Sequence, residues 1–266
     1  MKKWKAAVLT AMMVSSVPLT AGAQEDAVTI CILDSGCDDS QAEGKNYLSD
    51  GEKLSDEGGH GTLVYQILAE NVPGARLYML KCFSGGEEMS SEEEKTHQEQ
   101  AVIQALYDAV DVYQADVINI SWTVNAESEA LYDAIAYAYE QGCILVAAAG
   151  NLSLQTPLGS MTYPAGWEEV IGVGGVDLDA DGTPVSSLWY LQNHSIFVCA
   201  DGNCQGEKGT SFAAPKVTAV IARYLQSVPE EKKDDLSVRQ YLKEQAQDLG
   251  EPGYDAVFGW GYVTEK

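Results

Sequence analysis

Apolar and polar positions fall into two alternating kinds of block along the chain. Val28–Leu33, Ala75–Cys82, Asp116–Ser121, Cys143–Ala149 and Val170–Val176 are short and nearly continuous in their hydrophobicity. Strands buried on both faces have this character, as in a parallel sheet. Between them His60–Asn71, Thr96–Gln114, Glu127–Gln141 and the run after Ser211 have helical patterns. In the second of these Ala101, Ile103, Leu106, Tyr107 and Val110 give a 3.5-like apolar spacing, and Thr96 with Glu99 reads as a capping box. Ser237 is expected to cap a last helix running to about Gln247. The alternation predicts an α/β fold, a doubly wound, mostly parallel sheet with helices on both faces, in three layers. No repeat or linker divides the chain, so residues 24–266 are expected to form one domain. Active sites in such folds gather at the carboxyl ends of the strands.

The first residues depart from this pattern. Lys2, Lys3 and Lys5 precede an apolar run from Ala6 to about Leu19, and Ala21-Gly22-Ala23 follows. This is the pattern of a cleaved secretory signal peptide over residues 1–23, and it predicts a secreted protein. The run is shorter than the roughly 18–20 apolar residues of a membrane span, and no other segment approaches that length. Forty acidic residues against 16 basic ones give a formal net charge of −24. That charge disfavours nucleic acid and anionic membranes as partners and leaves basic peptides and cations. The acidic stretch Glu87–Glu94 is expected to be a solvated loop. Six cysteines are too few for a disulfide scaffold. Cys199 and Cys204 share one short loop and are the expected pair, whereas Cys31 and Cys143 lie inside strands as free buried thiols.

Candidate chemistry sits where strands end. The first strand stops at Asp34-Ser-Gly36, and the next helix opens with Gly58-Gly-His-Gly-Thr62. The fourth strand ends in Ala-Ala-Ala-Gly150-Asn151, and Gly209-Thr-Ser211 precedes an apolar helix. Singly, Asp34 is a turn former, His60 a structural histidine, Asn151 a loop residue and Ser211 an N-cap. Together an acid, a base and a nucleophile, each beside glycine, are the parts of a proton relay, and Asn151 can donate to an oxyanion.

The order Asp…His…Asn…Ser, within ILDSG, GGHGT, AAAGN and GTSFAAP, resembles that of the subtilisin-like serine proteases, the subtilases. The resemblance extends from Val28 to Gly-Trp-Gly-Tyr262, whose GWGYV is similar to the family's closing GxGxV. It implies a serine endopeptidase acting on peptides or proteins through an acyl-enzyme. Asp34, His60 and Ser211 would form the triad, with Asn151 in the oxyanion hole. A catalytically silent, subtilase-like peptide-binding protein is the alternative. Ser121-Trp122-Thr123-Val124 stands in place of the family's Ser-Leu-Gly-Gly, so Ser121, Trp122, Thr123 and Gly150 are the expected substrate contacts, with Thr123 narrowing specificity. The resemblance also makes Tyr163-Pro164 a candidate cis peptide and puts Thr162 near the floor of the primary specificity pocket. The acidic loop Glu87–Glu94 would line the cleft and favour basic residues in the substrate.

Three departures from the family carry expectations of their own. Only Gln24–Ala27 separate the cleavage site from the first strand, so no propeptide is expected, and folding is either unaided or served by a separate helper. Asn71-Val-Pro-Gly-Ala75 is short where many subtilases insert a calcium-binding loop, so that site is expected to be absent and no cofactor required. Asp177–Gly182 imitates the start of an EF-hand, but its twelfth position would be Leu188 rather than Glu, which makes it an Asp-Gly hairpin turn. His97 and His194 are read as surface residues, and Lys216 stands where the family often has histidine.

Overall fold

The computed structural model describes residues 27–49, 53–84 and 92–264. The expected signal segment 1–23 and residues 87–91 of the acidic stretch lie outside them. In chain order come β1 (Thr29–Asp34), β2 (Glu43–Asn46), α1 (His60–Asn71), β3 (Arg76–Lys81), α2 (Glu92–Asp111), β4 (Val117–Ile120), α3 (Glu129–Glu140), β5 (Ile144–Ala148) and β6 (Val170–Leu178). Then follow β7 (Pro184–Val185), β8 (Ile196–Asp201), the hairpin β9 (Asn203–Cys204) and β10 (Glu207–Lys208), α4 (Thr210–Ser227) and α5 (Asp235–Gln245). The main sheet has the order β2-β3-β1-β4-β5-β6, with β8 also paired to β6, and every one of these pairings is parallel. Among the described residues of this sheet only β7 runs against its neighbour, and the separate β9–β10 hairpin is antiparallel. This is the doubly wound α/β architecture the pattern predicts.

Alternation along the central strands divides the interior into two cores. Ile30 and Ile32 of β1, with Val146 and Ala148 of β5, pack against α1 and α4, while Cys31, Leu33, Leu145 and Ala147 face α2 and α3. Sheet and helices thus form three layers, and β1, β4 and β5 have no exposed residue. The helix α4 is buried over most of its circumference, which is why its sequence is apolar with almost no polar stripe.

Several boundaries differ from the sequence reading, each for a local reason. The helix α2 begins at Glu92, so Thr96 and Glu99 lie inside it. Three consecutive glutamates suit a helix N-terminus, where the backbone dipole favours negative charge. The cap of α5 is Asp234, which accepts the Ser237 N–H at 2.9 Å; Ser237 is the third helical residue, not the cap. The strand β2, Glu-Gly-Lys-Asn, is polar and exposed at the sheet edge, so no apolar run announces it. The strand β8 was also not expected. A register shift at Gly172/Val173 interrupts its pairing with β6.

The expected Cys199–Cys204 bridge is not formed, and all six cysteines are free thiols. Val198 and Ala200 point into the α1/α4 core, so Cys199 between them faces the opposite side of β8. Cys204 packs toward that same α1/α4 core, and the two thiols diverge. Cys31 and Cys143 are buried as expected, and burial drives both thiols far toward the protonated form. The Asp177–Gly182 segment is a hairpin turn. Asp179 N–H donates to Thr183 O at 3.0 Å, and the Asp179 carboxylate is taken up by the N–H groups of Asp181 and Thr183. The Tyr163–Pro164 peptide is cis.

Candidate active site

The end of β1 and the start of α1 meet through two glycines. A side chain on Gly61 would put its Cβ 2.3 Å from Gly36 O and 3.1 Å from Asp34 Oδ1. Without one, the helix start lies directly on the strand end, and His60 Nδ1 comes 2.7 Å from Asp34 Oδ1. Asp34 is buried, with 2% of its surface exposed. Since a carboxylate only accepts, Nδ1–H is the donor, and the imidazole keeps Nε2 as its free basic nitrogen. Asp34 Oδ1 also accepts the Ser35 N–H at 2.7 Å, while Oδ2 is buried and has no hydrogen-bond partner among the described residues. Burial opposes charge on His60, but the Asp34 charge, its hydrogen bond and the charge of Asp56 outweigh it. The imidazole pKa is therefore raised above its ordinary 6.5.

Asp56 and Ser35 were not singled out from the sequence, yet they organise this pair. Asp56 is buried, and its Oδ2 accepts the Thr62 N–H at 2.7 Å and the Thr62 hydroxyl at 2.8 Å. Because the N-cap of α1 is Gly59, which has no side chain, Asp56 supplies the missing acceptor from three residues upstream. Ser35 Oγ donates to Asp56 Oδ1 at 2.8 Å and accepts the Gly61 N–H at 3.0 Å. An acid shortly before a helix that opens on glycines is the signal that would have found Asp56.

The second half of the site joins the loop after β5 to the start of α4. Ser211 is the second residue of α4, whose N-cap is Gly209, so its hydroxyl is not a cap. Phe212, the next residue, has its ring centroid 5.4 Å from that of His60, which brings α1 and the Ser211 turn side by side. Thr210, also not singled out, is completely buried and fixes Asn151. Asn151 Oδ1 accepts the Thr210 N–H at 3.0 Å, and Thr210 Oγ1 accepts the Gly150 N–H at 3.0 Å. With its oxygen engaged, the Asn151 amide keeps Nδ2 to donate elsewhere. A Cβ on Gly209 would lie 3.4 Å from Asn151 Nδ2 and 3.7 Å from Ser211 N. Both donors therefore border the space that glycine leaves open.

The expected substrate contacts divide. Gly150 is buried with φ 102°, and a Cβ there would come within 2.8 Å of Leu191 Cδ1. The Ser121 side chain turns inward, accepting from Asn119 Nδ2 at 2.9 Å, so the hydroxyl cannot reach a ligand and only its backbone could. Trp122 is half-buried and packs on Phe83, with ring centroids 5.1 Å apart, and Thr123 is half-buried. Val124 forms an antiparallel bridge with Tyr163, which ties this segment to the cis peptide. Thr162 is fully buried, its hydroxyl donating to Ala149 O at 2.7 Å.

The Asp34–His60 pair thus lies beside Phe212 at the start of α4, Asn151 is held by Thr210 in the same first turn, and the subtilase family profile matches residues 25–261. The chain belongs to the subtilase family. It is 28% identical to the minor extracellular protease Epr of Bacillus subtilis (strain 168) in an alignment 278 positions long that covers 92% of this chain and 39% of that protein. It is 29% identical to the major intracellular serine protease of the same organism, covering 76% of this chain and 69% of that one. The fold also matches MycP1 from Mycobacterium smegmatis, with a TM-score of 0.74 and 20% identity over 90% of this chain and 78% of that one. By name, one of the two Bacillus proteases is extracellular and the other intracellular. No described helix of this chain is long and apolar enough to cross one.

Proposed function

We propose that this subtilase is a serine endopeptidase in which Ser211 Oγ attacks the scissile carbonyl. His60 Nε2 takes the serine proton as the tetrahedral adduct forms, then returns it to the departing amine as the acyl-enzyme appears. Water repeats the sequence to release the acid product. Asp34 holds Nδ1–H and stabilises the imidazolium without taking its proton. Asn151 Nδ2 and the Ser211 N–H donate to the oxyanion, aided by the positive end of α4. Every proton in this scheme moves between side chains of the chain, water and substrate.

The observation that carries the reading is the 2.7 Å Asp34–His60 contact, which commits Nδ1–H and leaves Nε2 as base beside the Ser211 turn. Excess acid over base favours substrates with basic residues near the cleaved bond. The basic and apolar pattern of the first 23 residues supports export with cleavage after Ala23.

The test is a fluorophosphonate probe applied to the exported protein and to Ser211→Ala. Labelling confined to the chain with Ser211 is the expected result, and the mass of the product gives its N-terminus. A folded protein that stays unlabelled would overturn the reading in favour of a peptide-binding role without turnover.

A further inference from the structure

The two oxyanion donors belong to segments far apart in the chain, and their spacing depends on what ties those segments together. Residues 150–152 are paired with 189–191. Asn151 bridges Tyr190, Leu152 N–H donates to Trp189 O at 2.9 Å, and Leu191 N–H donates to Gly150 O at 3.0 Å. On the other side, the hairpin β9–β10 runs directly into Gly209, whose N–H returns to Gly202 O at 2.9 Å.

Asp177, the penultimate residue of β6, lies between the two. Its Oδ1 accepts the Tyr190 hydroxyl at 3.0 Å, and its Oδ2 accepts the Lys208 ammonium at 2.9 Å. Asn203 Nδ2 is 3.4 Å from Oδ1. Burial works against the Asp177 charge, but hydrogen bonds from Lys208, Tyr190 and Ser187 prevail and hold the carboxyl below its ordinary range. Tyr190 has 1% of its surface exposed and occupies a socket defined by two glycines. A Cβ on Gly175 would lie 2.6 Å from its ring, and one on Gly202 would lie 2.5 Å from its hydroxyl oxygen. Trp189 Nε1 adds a second tie, donating to Lys208 O at 3.1 Å.

We infer that Asp177, Tyr190 and Lys208 form a clamp that sets the distance between Asn151 Nδ2 and the Ser211 N–H. They are positioning residues, acting through the two donors. The inference rests on the proteolytic reading for its catalytic consequence, while the clamp itself can be measured without turnover. Losing one jaw leaves each loop folded and lets the donors drift apart, and small errors of placement weaken an oxyanion site strongly.

Tyr190→Phe keeps the ring in its socket and removes only the hydroxyl. Its kcat on a peptide substrate is expected to fall about tenfold with KM nearly unchanged. In an Asn151→Ala background the same substitution is expected to cost less than about twofold, because the donor it positions is already gone. Hydrogen–deuterium exchange is expected to rise at both 150–152 and 209–211 in Tyr190→Phe. Equal losses of kcat in the two backgrounds, or unchanged exchange in both segments, would overturn the clamp. Lys208→Met, at a partly exposed position, carries the same measurements if Tyr190→Phe does not fold. A wild-type protein with no turnover that Ser211→Ala can remove would defeat the proteolytic reading and leave the exchange result to decide the clamp.

Discussion

Ser35 Oγ joins the carboxylate that caps α1 to the strand end that carries Asp34, so two negative charges face one imidazole. Both raise the His60 pKa, and this fixes the sign of a pH effect. As a base His60 acts only when neutral, so turnover is lost as pH falls through a value above 6.5. Asp56→Asn removes one charge while keeping an acceptor for Thr62, and the acid limb of kcat/KM is expected to move to lower pH. A limb that stays in place would show that Asp56 exerts no field at His60. The corresponding stability has the opposite sense. A raised folded-state pKa stabilises the fold below the unfolded value, and that stabilisation is lost as pH rises through the folded one. In the range where His60 is a working base, the ion pair therefore adds little to stability. Asp34, His60, Asn151 and Ser211 stand out as candidates in the sequence because their motifs combine an acid, a base, a nucleophile and an amide donor, each beside glycine. Asp56 and Thr210 do not, because a helix cap and a buried threonine look alike whether or not a reacting group lies beyond them.

At the scale of elements, the legible strands were those buried on both faces, such as β1, β4 and β5, where solvent imposes no polar alternation. The strand β2 was invisible because an edge needs no apolar side chains, whereas β8 carries an apolar run, Ile196–Ala200, that the sequence reading passed over. Lys216, for which the sequence suggested no role, is buried in α4 and pairs with Asp201 Oδ2 at 2.9 Å while also donating to Asn203 O. It anchors α4, the helix that carries Ser211, to the end of β8 and the start of β9. The contact between α1 and β1 is equally specific. Gly61→Ala drives a methyl group against the Gly36 carbonyl, and a loss of about 1–3 kcal/mol in unfolding free energy is expected. Chemical denaturation measures this directly, and kcat is expected to fall as well, because the intruding carbon also meets Asp34 Oδ1. An unchanged midpoint with unchanged activity would mean that strand and helix can separate at no cost.

For the molecule as a whole, a net charge of −24 sets up a field that attracts cations before any pocket is reached. Lysine-rich peptides are expected to be cleaved with higher kcat/KM than glutamate-rich ones of equal length. The ratio should shrink as salt shortens the screening length from roughly 10 Å at 0.1 M toward roughly 3 Å at 1 M. A ratio of one at low salt would remove charge from the account of specificity.

The parallel sheet has a further consequence, which concerns time. Asp34, His60, Asn151 and Ser211 lie on segments that meet only after β1, α1, β5 and α4 have been laid side by side, and parallel neighbours must be joined by long crossovers. Such folds assemble slowly, because loop closure must come before the distant contacts that reward it. A chain still being translated lacks α4, and a half-folded one lacks the alignment of its donors. The proposed site is thus the last thing to exist, and on the proteolytic reading recovered turnover during refolding is expected to report completion of the whole topology.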